Sequence, residues 1–174
     1  MDLSSNYFEL FGLSVSYDVD VSALQPQWRQ LQQQFHPDRV DNQDASAQRQ
    51  AMQMSAQINS AYQTLKSPVL RAAYLLTLAN EPVDLERTTV ADTDFLMAQM
   101  ELREQLEDAV AVDEVEVIAD EAQDWLMNLQ REFAGDYSRQ EWPEARETLR
   151  KMQFMTRLLE EVNERIEQLE DEAG

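Results

Sequence analysis

The residues of this chain with the clearest chemical potential are His36 and Asp38, which flank Pro37. An imidazole close to a carboxylate can act as a general base that its neighbour orients. However, His36 is the only histidine, the chain has no cysteine, and no serine stands in a recognisable nucleophile setting. A metal site would need carboxylates alone, and carboxylates scattered along helices usually face solvent. We therefore predict a protein that is not an enzyme and that uses no metal or cofactor.

Two segments with helical periodicity must position this tripeptide. Apolar residues recur at three- and four-residue steps over residues 21–35 and again over residues 51–65, which is the pattern of amphipathic helices. Pro37 cannot extend the first of these helices, and it biases His36 away from the helical region. The sequence therefore predicts an antiparallel helical hairpin with a stiff, polar, exposed loop at its tip.

Capping residues and glycine mark the other helix ends in this half of the chain. A short opening helix is predicted to begin at Ser5 or Asn6 and to end at Gly12, and Asp44 or Ser46 is predicted to begin the second arm of the hairpin. A fourth helix is predicted over residues 68–79, because the proline that opens it suits a first helical position.

The C-terminal half is predicted to form a separate domain. Residues 80–91 contain Pro82 and no sustained period, so we predict a linker there between domains 1–79 and 92–174. Helical stretches follow over 93–110 and 113–134, the second closed by Gly135, and a last helix begins between Ser138 and Pro143, where a capping box is predicted. The predicted fold is all-α, with an N-terminal helical hairpin and a C-terminal antiparallel three-helix bundle.

Charge is distributed unevenly along the 174 residues. The net charge is −20, and residues 81–174 hold nine basic and 27 acidic residues, a net of −18. Because phosphate binding needs a basic surface, nucleic acid and anionic membranes are unlikely partners, whereas a basic protein surface is compatible. No apolar run is long enough for a membrane span and no signal pattern opens the chain, so we expect a cytoplasmic protein.

The first helix of the predicted bundle has two apolar faces. One face carries Phe95, Leu102 and Leu106 and suits the bundle core. A helix that serves only its own bundle should be polar on the opposite face, yet apolar residues and carboxylates share that face. Its members are Leu96, Met97, Met100, Glu101, Glu104 and Asp108. Phe154 also lies away from the core stripe of the last helix, so these residues predict a protein-binding patch, unless they pack against the N-terminal domain or fill a wide core.

The N-terminal half resembles the J-domain, the module by which co-chaperones engage DnaK-type chaperones. The resemblance rests on residues 7–13, on the His36-Pro37-Asp38-Arg39 sequence between two helices, and on residues 58–65. It implies that His36, Pro37 and Asp38 contact the chaperone and stimulate its ATP hydrolysis. J-domains often carry several basic residues on the second helix, whereas here Arg29 and Arg39 are the best electrostatic candidates.

The similarity extends over nearly the whole chain to the HscB family of iron–sulfur cluster co-chaperones. The similarity to this family is most evident in residues 67–76 and 92–104. It implies an HscA-type DnaK-family chaperone and an IscU-type iron–sulfur scaffold protein as partners, with the scaffold delivered to the chaperone. The scaffold-binding positions it implies are Leu96, Met97, Met100, Glu101, Glu104, Asp108 and Phe154. A general J-protein that presents unfolded chains through its methionine-rich face is the alternative.

Overall fold

A computed structural model describes residues 2–87 and 89–174 of the chain. It divides into two compact units, one that ends at Leu78 and one that begins at Ala79. The helices of the first unit are α1 (Tyr7–Leu10), α2 (Val21–Gln34), α3 (Ala45–Lys66) and α4 (Pro68–Leu78). The second unit contains α5 (Thr93–Asp108), α6 (Val112–Ser138) and α7 (Trp142–Ala173). These helices, with one 3₁₀ turn at Pro37–Arg39, confirm the all-α fold.

The first unit is built on the hairpin of α2 and α3. Leu24 and Leu31 of α2 and Ile58 and Leu65 of α3 are buried between the helices. Phe8 of α1 is fully buried as well, so the short opening helix completes this core. Burial of such side chains stabilises the hairpin by about 1.5–3 kcal/mol each.

Local capping sets the helix ends in this unit. Asn6 and Glu9 form a capping box at the start of α1, and Gly12 follows the helix with a φ of +64°. Asp20 accepts a hydrogen bond from the Ser22 amide at the start of α2, and Asp44 does the same for the start of α3. These side chains occupy backbone donors that a helix leaves free at its first turn.

Arg71 of α4 is a buried cation held by backbone rather than by a carboxylate. Its Nε donates to the carbonyl of Leu65 at 2.9 Å, and its Nη1 donates to the carbonyl of Tyr17 at 2.7 Å. The guanidinium also lies 4.7 Å from the centre of the Tyr17 ring, a cation–π distance. Arg71 therefore ties the loop between α1 and α2 to the corner where α3 meets α4.

In the second unit, α6 and α7 form a long pair on which α5 packs. The buried surface of α7 includes Leu149, Met152, Met155 and Leu158. Phe95, Leu102 and Leu106 of α5 are buried as their spacing predicts. Three helices therefore share one core, in agreement with the predicted bundle.

The boundary between α6 and α7 differs from the prediction. Gly135 does not close α6, which continues to Ser138, and the residue with positive φ is Gln140 at 57°. The extra turn is stabilised by Asp136, which is buried and accepts hydrogen bonds from Thr148 Oγ1 and Arg139 Nη2, both at 3.0 Å. Because Ser138 lies inside α6, the capping box predicted there for α7 does not form.

The segment predicted as a linker is held against the second unit. Arg146 of α7 forms an ion pair with Glu81 at 2.5 Å, and Gln153 Nε2 donates to the carbonyl of Leu85 at 2.9 Å. The Ala91 amide donates to Glu147 at 2.8 Å. Thr88, which falls in the same predicted linker, lies outside the described residues. Within residues 2–87 and 89–174, no helix has both the length and the apolar character to cross a membrane.

Candidate functional site

The tripeptide forms a tight, exposed turn between α2 and α3. Phe35 ends α2, and His36 has the extended conformation (φ −64°, ψ 135°) that the following proline favours. Residues Pro37–Arg39 then make a single 3₁₀ turn, in which the Arg39 amide donates to the His36 carbonyl at 3.0 Å and the Val40 amide to the Pro37 carbonyl at 3.1 Å. We call residues 36–40 the HPD turn.

A hydrogen bond inside the turn assigns the tautomer of His36. The Asp38 amide donates to His36 Nδ1 at 3.1 Å, while an Asp38 carboxylate oxygen lies 3.5 Å from the same nitrogen. Nδ1 cannot accept the first contact and donate to the second at once. The backbone hydrogen bond is the shorter of the two, so Nδ1 is the acceptor and the neutral ring carries its proton on Nε2.

This geometry leaves Asp38 free to bind another molecule. Its side chain is 90% exposed and that of His36 is 53% exposed. Since Nδ1 accepts the amide hydrogen, the carboxylate does not orient His36 as it would in a catalytic base–carboxylate pair. The turn therefore offers a carboxylate acceptor and an imidazole donor side by side. Across the residues that the structure describes, no group of three or more His, Cys, Asp or Glu could hold a metal ion.

Arg29 and Arg39 lie on the same unit and are both exposed. Neither forms an ion pair with another described residue, so both cations are available to an acidic surface. Arg39 also lines a cavity of about 430 Å³ beside the turn, together with His36, Phe35 and Met54.

One residue of this site has no signal in the sequence. Gln48, the fourth residue of α3, donates through Nε2 to the carbonyls of Pro37 and Val40 at 3.1 and 3.0 Å. It is one glutamine in a helix that contains several. Only its position in space distinguishes it from the others.

The outer face of α5 carries the predicted apolar patch. Met97 is 70% exposed and Met100 is 55% exposed, so neither fills the bundle core. We call the following seven residues the α5 patch: Leu96, Met97, Met100, Glu101, Glu104, Asp108 and Phe154. The three carboxylates are exposed, whereas Leu96 and Phe154 are half-buried. Phe154 lies on α7 and contacts the buried Phe95 edge-on, with ring centres 6.0 Å apart.

Polar side chains that the sequence analysis did not identify hold α5 against α7. Arg103 donates from Nε to Gln99 Oε1 at 2.7 Å, and its Nη1 forms an ion pair with Glu161 of α7. At the other end of α5, Lys151 Nζ lies 2.8 Å from a carboxylate oxygen of Asp92, the residue that caps the helix. The hydrogen bond from Lys151 holds the pKa of Asp92 below its ordinary value.

Comparison with known proteins shows that each of the two units matches a known family model. The DnaJ domain family model matches residues 6–74, and the model described as the HSCB C-terminal oligomerisation domain matches residues 91–163. The co-chaperone protein HscB homolog of Acinetobacter baumannii is 40% identical over 167 residues, which cover 96% of this chain and 94% of that protein. This chain belongs to the HscB family of co-chaperones.

Solved HscB structures share the whole fold. Chaperone HscB from Vibrio cholerae is 37% identical, with a TM-score of 0.84 over 95% of this chain and 99% of that one. The human co-chaperone protein HscB is 27% identical, with a TM-score of 0.82 over 94% of this chain and 83% of that one. Residues 7–13, 36–39 and 58–65 were thus a correct indication of a J-domain, and a J-domain co-chaperone works with a DnaK-family chaperone.

Proposed function

We propose that this HscB-family protein is an adaptor of iron–sulfur cluster assembly. It delivers an IscU-type scaffold protein to an HscA-type chaperone and stimulates the chaperone's ATP hydrolysis. The observation that carries the proposal is the exposure of two chemically different surfaces on the two units of one chain. The HPD turn presents a charged acceptor and a donor, and the α5 patch presents methionines with carboxylates around them.

At the chaperone end, Asp38 is the residue on which stimulation depends. An exposed carboxylate on a short, hydrogen-bonded turn can form a charge-assisted bond with a cation of the chaperone. Pro37 stiffens the turn, and His36 offers Nε2–H as a second contact. Arg29 and Arg39 attract an acidic surface of the chaperone. In this proposal residues 1–79 act as the J-domain.

At the scaffold end, the α5 patch has the composition of a small protein interface. Met97 and Met100 form an exposed apolar centre, and Glu101, Glu104 and Asp108 form a polar rim. Binding energy in such an interface usually concentrates in a few central side chains. In this proposal residues 92–174 act as the scaffold-binding bundle, to which Glu81, Leu85 and Ala91 of the predicted linker are bonded.

The test of the chaperone end is steady-state ATP hydrolysis by the HscA-type chaperone, with and without scaffold. Wild-type protein should stimulate hydrolysis, and scaffold should increase the stimulation. Asp38→Asn keeps the shape of the side chain and removes its charge, so we expect at least about a tenfold loss of stimulation, the scale on which charge-assisted contacts act. Equal stimulation by the variant and the wild type would refute this role.

The test of the scaffold end is a binding titration with folded scaffold. Met97→Ala removes the most exposed methionine of the α5 patch, and we expect affinity to fall about tenfold, in the range of interface hot spots. Met127→Ala is the matched control, because Met127 is also exposed and lies in the same unit but outside the patch. It should leave the affinity unchanged.

A second candidate function is a general holdase that binds unfolded chains. The exposure of Met97 and Met100 favours it, because methionine surfaces adapt to varied partners. Such a protein would suppress aggregation of unrelated proteins and would show no saturable binding of folded scaffold. Suppression of aggregation by the wild type that falls to a similar extent in Met97→Ala and Met127→Ala, without saturable binding of folded scaffold, would favour this function over the adaptor.

A further inference from the structure

The HPD turn is held in place by a side chain that comes from outside it. Gln48 of α3 donates from Nε2 to the Pro37 carbonyl at 3.1 Å and to the Val40 carbonyl at 3.0 Å. The first carbonyl lies at the start of the turn and the second at its end. A third oxygen, Asn42 Oδ1, lies 3.2 Å from the same nitrogen.

The three oxygens around Gln48 Nε2 establish the orientation of the Gln48 side-chain amide. A glutamine amide has two N–H donors on its nitrogen and none on its oxygen. The NH₂ group therefore faces the turn and bonds both ends of it at once. Among the described residues, no other side chain from outside the turn donates to its backbone.

Besides Gln48, the stiffness of Pro37 and the hydrogen bonds inside the turn fix its conformation. None of the residues Pro37–Arg39 is buried, so packing restrains them only weakly, and exposed segments with little packing open readily. Gln48 itself is partly buried and sits on a rigid base. The backbone N–H of Gln48 donates to the Asp44 carbonyl at 3.0 Å. The Asp44 side chain in turn accepts hydrogen bonds from the backbone amides of Ser46 and Ala47.

We propose that Gln48 is a positioning residue of the chaperone-activating turn. It does not touch the chaperone; it holds the turn in the conformation that presents Asp38. A turn that is ordered before binding loses less conformational entropy on docking, which raises affinity. The inference rests on the proposed role of the HPD turn, and it adds the residue that preorganises that turn.

Gln48→Glu and Gln48→Lys separate this role from a general contribution to folding. Glutamate has the shape of glutamine but only accepts hydrogen bonds, so it would face three oxygens without a donor. A negative charge near the start of α3 interacts favourably with the helix dipole, so the helix itself is not weakened. Lysine restores a donor that can reach the two carbonyls.

The matched control is Gln53→Glu, which makes the same change of charge on the exposed surface of the same helix. The measurement is chaperone ATP hydrolysis as a function of co-chaperone concentration. For Gln48→Glu we expect the half-maximal concentration to rise about tenfold, with little change in maximal stimulation, because ordering the turn costs binding energy. Gln48→Lys and Gln53→Glu should stay within about twofold of wild type.

Backbone ¹⁵N relaxation of the free protein gives a readout that does not depend on the chaperone. The amides of Asp38, Arg39 and Val40 should become more mobile in Gln48→Glu and recover in Gln48→Lys. Unchanged stimulation and mobility in Gln48→Glu would overturn the inference while leaving the function of the turn intact. If the wild type itself fails to stimulate the chaperone, the proposed function fails, and the positioning role fails with it.

Discussion

At the scale of single residues, the HPD turn shows how one hydrogen bond assigns chemical roles. The bond from the Asp38 amide to His36 Nδ1 fills the acceptor nitrogen of the imidazole. As a result His36 acts as a donor through Nε2, and the Asp38 carboxylate keeps all its acceptor capacity for another molecule. The turn therefore presents a carboxylate acceptor and an imidazole donor side by side, which is what the proposed contact with a chaperone requires.

Tyr17 and Arg71 are a second pair whose chemistry is set by burial. Both side chains are buried, with the guanidinium stacked on the ring. Burial disfavours the charged phenolate and raises the pKa of Tyr17 to about 12 from an ordinary value of 10.0, although the Arg71 charge opposes the shift. The neutral phenol is consequently part of the folded first unit.

This shift predicts a loss of stability in alkali. The contribution of neutral Tyr17 is complete below a pH of about 10 and is lost as the pH rises through the folded-state pKa. A shift of about two pKa units corresponds to about 2–3 kcal/mol. Denaturant unfolding of the full chain between pH 9 and pH 12 should show this decline, and Tyr17→Phe should reduce it. An identical decline in the variant would show that Tyr17 is not its source.

At the scale of helices, the second unit depends on how α5 is fastened to its neighbours. Its first turn is capped by Asp92, whose side chain also binds Lys151, and its middle is bound through Arg103 to Glu161. These contacts lie on either side of the buried Phe95. They orient α5 so that Met97 and Met100 face outward, and the α5 patch is the consequence.

The two internal glycines should respond in opposite ways to alanine. Gly12 has a φ of +64° and open space around it, so Gly12→Ala should cost about 1 kcal/mol for conformational reasons alone. Gly135 lies inside α6, where alanine is intrinsically better than glycine by about 1 kcal/mol. An added Cβ would lie 3.0 Å from the Arg139 guanidinium, which is 58% exposed and has room to move aside, so Gly135→Ala should gain roughly 0.5 kcal/mol.

Chemical denaturation of both variants measures these two effects. If Gly135 acted as a helix terminator, Gly135→Ala would instead destabilise the protein by an amount similar to Gly12→Ala.

At the scale of the whole molecule, the separation of charge is the dominant feature. The second unit carries nearly all of the net charge of −20. Like charges spread over a compact bundle repel one another and oppose its folding. The same field favours encounter with a basic protein surface.

Salt should therefore stabilise the second unit more than the first. Raising ionic strength from about 0.1 M to about 1 M shortens the Debye length from about 10 Å to about 3 Å, which screens the repulsion among the carboxylates. Residue-resolved hydrogen exchange on the full chain should show a larger gain of protection in α6 and α7 than in α2 and α3. A uniform change across both units would contradict this explanation.

The sequence by itself determined the helices, the turn and the exposed apolar face. Periodicity identified the hairpin around Pro37 and the opposite faces of α5, because side-chain spacing of 3.6 residues depends only on local geometry. Capping chemistry placed the starts of α1 and α3 at alternatives that included the observed residues, Asn6 and Asp44. The roles assigned to Asp38 and Met97 came from family resemblance, and they remain proposals.

Only the tertiary structure decided which polar side chains support these features. Gln48, Arg71 and Arg103 bind backbone or side chains that are distant in sequence or lie beyond a helix end. Nothing in their spacing distinguishes them from solvent-facing neighbours, because hydrogen bonding across elements depends on positions that exist only after packing. For the same reason Gly135 looked like a helix end, although buried Asp136 carries α6 past it.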